Sequence, residues 1–145
     1  MSVKNDILIN LRSFRRDYMS WLYNIEGIMH EIENGKIISH EDYTECEFGK
    51  WIQKNSKLLH SVDIDHKIIE NHIKVHLKYS EILEFMVNET ISDLIYHSPH
   101  SDKKRMFLHA KISALKKYSK HMIDALDNVI HQIEPLNEQA VVMMS

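Results

Sequence analysis

Glycine and proline are almost missing from this chain: three Gly and two Pro stand among 145 residues. A sheet protein of this size would need turn residues every few positions, whereas long helices need very few breaks. The sequence therefore reads as all-α. With 43% hydrophobic and 27% charged residues it has the makings of one amphipathic-helix core, and a chain of this length buries roughly 68–70% of its unfolded surface. One domain is expected.

The breaks divide the chain into four helical stretches. The first runs from a cap at Asn5 or Asp6 to Asn34, with Gly35 as its stop, and its seam is Leu11, Phe14, Tyr18, Trp21, Ile25 and Ile28. The aromatic members of that seam, Phe14 and Trp21, read as core. After a loop through Gly35-Lys36-Ile37-Ile38, the run Ser39-His40-Glu41-Asp42 resembles a cap for a short second helix that carries Cys46 and ends near Gly49. Asn55 to Asp63 reads as a polar connection anchored by Leu58, Leu59 and Val62. A third helix is predicted from Asp63 or Asp65 to Tyr96, closed by Ser98-Pro99. The fourth runs from Ser101 to Glu134-Pro135 on a seam that includes Ile112, Leu115, Met122, Leu126, Val129 and Ile133, and Leu136 to Ser145 is expected to fray.

Charge excludes one class of partner. A formal net charge of −3, with both signs mixed along the chain, provides no basic field for nucleic acid. No signal-peptide pattern is present, and no apolar run approaches the roughly 18–20 residues that span a bilayer. A single cysteine cannot form an internal disulfide, so the expected setting is the cytoplasm, with no membrane partner and a reduced thiol free to bind metal.

The third helix carries an anomaly. Its seam reads Ile69, His72, His76, Tyr79, Leu83, Met86, which places two imidazoles where neighbouring turns carry apolar side chains. Residues four apart share a helix face, so both rings can reach one ion. Two buried neutral imidazoles leave polar nitrogens that need partners, and a shared zinc satisfies one on each ring. Cys46 adds a thiol beside Phe48, Gly49 and Trp51, on a turn where the glycine lets backbone approach closely and the tryptophan can pin the turn to the core. Cysteine with two histidines suits Zn2+ by ligand softness.

The element Cys46-Glu47-Phe48-Gly49-Lys50-Trp51, followed by His72 and His76, resembles the chemoreceptor zinc-binding (CZB) domain family. There a Cys-x-x-Gly-x-Trp element precedes a His-x3-His pair by a little under thirty residues. The resemblance covers nearly the whole chain, which looks especially similar to the N-terminal domain of zinc-controlled diguanylate cyclases. It implies an antiparallel four-helix bundle with a short extra helix carrying the cysteine, over residues 1–135, and a flexible tail over 136–145. One position departs from the pattern. The family's fourth ligand is a first-helix histidine three residues before an aromatic such as Trp21, and Tyr18 stands there. The next histidine, His30, lies about 18 Å further along the helix. Asp17, the Tyr18 oxygen, or a water at an open position each remain available as the fourth ligand beside Cys46, His72 and His76.

The resemblance implies a sensory role without catalysis, with zinc or oxidant state passed to a chemoreceptor or a cyclic-di-GMP synthase. No Gly-Gly-Asp-Glu-Phe motif occurs in these residues. The expectation is therefore a stand-alone regulatory module signalling in trans, with its first or last helix available to form a homodimer. Two other metal classes fit poorly. A hemerythrin-like di-iron protein needs ligands spread over all four helices and leaves Cys46 unexplained, and a zinc hydrolase of the His-Glu-x-x-His kind would need Glu where Ile73 stands. A metal-free helical interaction module is the remaining alternative.

Overall fold

The structure is a computed structural model that describes residues 2–37, 39–96 and 102–145. Among them are seven helices and no strand: α1 (Val3–Tyr23), α2 (Ile25–Glu33), α3 (Glu47–Lys54), α4 (Ser56–Val62), α5 (Lys67–Tyr96), α6 (Asp102–Ile133) and α7 (Glu138–Met144). The all-helical expectation holds. Ser98-Pro99 and the Ser101 start lie outside the described residues.

The expected first helix is two helices. Asn24 divides them because its side-chain amide donates to the Ser20 carbonyl at 2.9 Å, a local bond that competes with the helical backbone. The N-cap is Ser2 rather than Asn5 or Asp6, and its hydroxyl accepts from Asn5 N at 3.1 Å. Gly35 does close α2, in the left-handed region at φ +73°, with Lys36 N donating to Glu31 O.

Two buried clusters fill the interior. In one, Ile7, Leu8 and Leu11 of α1 meet Ile68 of α5 and the Met122–Ile133 half of α6, under Phe48, Leu58 and Leu59. In the other, Ile25 and Met29 of α2 meet Val75 to Met86 of α5 and Leu115 of α6. These pairings make α6 antiparallel to both α1–α2 and α5. Leu58, Leu59 and Val62, expected as anchors of a polar connection, belong to α4 and are almost fully buried. Tyr18 packs against both clusters and so marks their junction.

The last ten residues, expected to fray, carry the helix α7. Asn137 caps α7 through a 2.8 Å bond from Ala140 N, and Val141 is completely buried. The Glu138 carboxylate accepts from Ser2 Oγ and Val3 N at 2.7 Å and from Lys4 N at 3.2 Å. A negative group thereby meets the positive end of α1 and fastens the two chain ends together.

Candidate metal centre

The site lies at the junction of the two cores. It is built by the connection between α2 and α3. The expected helix over Ser39 to Gly49 is instead a turn followed by a helix. Asp42 accepts from Tyr43 N and Thr44 Oγ1, both at 2.8 Å, and its carbonyl accepts from Glu45 N and Cys46 N. Cys46 then caps α3: its Sγ accepts from Gly49 N at 3.2 Å. Gly49 lies inside α3 rather than ending it. A Cβ at Gly49 would stand 1.8 Å from the Tyr43 carbonyl oxygen, so only glycine lets the turn lie this close to α3.

Aromatic packing holds α3 in place. Phe48 sits 4.5 Å from Phe14, 5.9 Å from Tyr18 and 5.0 Å from His72, centre to centre, and Trp51 packs edge-on to Phe14 at 5.7 Å. Tryptophan therefore pins the cysteine-bearing segment to α1, as its spacing from Cys46 suggests.

Cys46, His72 and His76 each bring a ligand atom within 4.8 Å of the others, close enough to hold a metal ion. His72 is 2% exposed. Its Nε2 is 3.4 Å from Cys46 Sγ and 3.0 Å from the Tyr43 carbonyl, and its Nδ1 is 3.0 Å from the Tyr18 hydroxyl. His76 is half-buried, its ring centre 4.6 Å from that of His72, with Nδ1 3.2 Å from the Glu41 carbonyl. His76 thus has Nδ1 fixed by an oxygen partner and Nε2 available, whereas His72 has an oxygen partner on each nitrogen and must give up the Tyr43 carbonyl for Nε2 to ligate.

Electrostatics prepare the imidazoles but not the thiol. Burial holds both rings in the neutral, ligating form, and pushes His76 down to about 4 with help from the neighbouring His72 and His40. Burial pushes the Cys46 thiol up, against the opposing pull of the Gly49 N–H, so a cation must displace its proton. Tyr18 is pushed up as well, chiefly by burial, and remains a neutral hydroxyl.

The remaining sequence candidates border the site. Asp17 is exposed, lies outside the three-residue cluster, and lines a neighbouring cavity of about 280 Å³ beside His76. The Tyr18 hydroxyl is engaged with Nδ1 of His72. Sequence reasoning overlooked His40. Its ring centre is 5.0 Å from that of His76 and 4.7 Å from Tyr79, and its Nε2 is 3.0 Å from Ser80 Oγ. Nothing in the spacing of His40 marks it out, because a non-helical connection carries no periodicity. Comparison of the chain with protein-family models, with characterised proteins and with solved structures finds no match.

Proposed function

We propose that this chain is a divergent CZB-like regulatory module that binds one zinc ion through Cys46, His72 and His76, in a four-helix bundle whose second position is filled by α3 and α4. One observation carries the reading: a thiol from a turn and two neutral imidazoles from α5 converge within 4.8 Å. Cysteine with two histidines favours zinc over harder cations. The Tyr18 hydroxyl supports it too, because it can accept or donate and so lets His72 move its proton to Nδ1 when Nε2 is needed.

Cys46 is both ligand and cap of α3. Ligation keeps its sulfur as thiolate, the form that oxidants attack. With hydrogen peroxide, one oxygen passes to the sulfur as the O–O bond breaks, giving sulfenic acid and hydroxide in a two-electron oxidation. Cys46 then loses its hold on the metal, and the 42–49 segment is released while α5 and α6 remain packed. Zinc availability and oxidant are the two inputs, and by resemblance a chemoreceptor or a diguanylate cyclase receives the output.

Limited proteolysis tests this directly. Zinc should protect the segment around Cys46 from cleavage, and either a chelator or peroxide should expose it. Identical cleavage patterns in all three states would remove the switch from the account.

A further inference from the structure

We infer that His40 is the fourth protein ligand of this centre, replacing the ligand that Tyr18 does not supply. The inference rests on the metal-site reading above and assigns its missing member. The His40–Glu41 segment is already attached to the site, because the Glu41 carbonyl holds His76 Nδ1 at 3.2 Å. The His40 and His76 rings are 5.0 Å apart, centre to centre, and 31° from parallel. Two imidazoles sharing a tetrahedral ion, with nitrogens at about 2.0–2.1 Å from it, hold their ring centres about 5 Å apart. The His72–His76 pair, at 4.6 Å, meets the same condition.

Hydrogen bonding assigns the ligating atom. Ser80 Oγ lies 3.0 Å from His40 Nε2, which leaves Nδ1 bare for an ion. His40 thus repeats the pattern of His76, with an oxygen partner on one nitrogen and the other available. His40 lies outside the 4.8 Å cluster, so completing the set requires its ring to turn inward. It sits in a connection without regular secondary structure and borders the cavity between Tyr18, Trp21 and His76, which gives the ring room to move. Trp21 Nε1 has no hydrogen-bond partner among the described residues, so no polar contact holds that wall of the cavity against the movement.

Two measurements test the assignment. In wild-type protein, 15N-detected histidine spectra on adding one equivalent of zinc should show His40 Nδ1 shifting together with the ligating nitrogens of His72 and His76. In the cobalt-substituted protein, His40→Ala should move the visible ligand-field band and weaken zinc binding about 100-fold, and millimolar imidazole should restore the band. Ser80→Ala, which keeps the imidazole, should weaken binding about 10-fold. Asp17→Ala should change none of these. If zinc binds and shifts His72 and His76 while His40 stays silent and His40→Ala keeps wild-type affinity, this assignment is overturned and the three-residue site stands. If wild-type protein binds no zinc, the metal-site reading itself is overturned.

Discussion

The Tyr18 hydroxyl lies 3.0 Å from Nδ1 of His72, so the first-helix position that resembles a metal ligand in the sequence acts here on the ligand's far nitrogen. A phenol in this place orients the ring and accommodates either tautomer. Tyr18→Phe should therefore keep one zinc per chain but weaken affinity about 10- to 100-fold. Competition against a chromophoric chelator measures it. Unchanged affinity would leave Tyr18 as core only.

Two glycines should respond in opposite directions. Gly49→Ala forces a Cβ against the Tyr43 carbonyl, which is backbone and cannot yield cheaply. It should cost about 3 kcal/mol and abolish tight zinc binding, since the displaced turn carries Cys46. Gly27, in α2, has nothing within 4 Å of an added Cβ. Gly27→Ala should stabilise the fold by about 0.5 kcal/mol. Urea midpoints of both variants provide the comparison.

The metal-free protein should lose stability in mild acid. Burial lowers His72 from 6.5, and His76 to about 4. Below pH 6.5 the unfolded chain binds protons that the folded chain refuses, so unfolding becomes easier as pH falls toward about 4, and the contribution is complete above 6.5. Urea midpoints of metal-free protein at pH 7.5, 5.5 and 4.5 should fall in that order. The decline should be shallower in His76→Gln.

Much of this arrangement is legible in the sequence because it repeats. His72, Tyr79, Leu83 and Met86 are buried at the predicted helical phase of α5, and Leu115, Met122, Leu126, Val129 and Ile133 are buried on α6. Gly35 stops α2 as expected. What the sequence hides depends on single contacts. Sulfur is not among the usual N-cap acceptors, so Cys46 did not announce the start of α3. Gly49 breaks no helix, because it is there to admit a carbonyl from a neighbouring turn. His40 comes to His76 only through the fold of an irregular connection.

The chain's end illustrates the same point. A seven-residue helix is too short to be stable alone, and α7 exists because Val141 is buried and Glu138 meets the start of α1. Val141→Ala should lower stability by about 1–2 kcal/mol, read as a shift in the urea midpoint. A value near zero would return the segment to a dispensable tail.

The metal content of the protein decides whether Cys46, His72 and His76 form a zinc site. Protein expressed without a histidine tag, reconstituted with zinc under reducing conditions and freed of excess by gel filtration, should carry about one zinc per chain by mass spectrometry. Cys46→Ala and His76→Ala should each carry almost none while keeping the helical circular dichroism of the wild type. Wild-type protein with no zinc, or variants that retain it in full, would contradict the account.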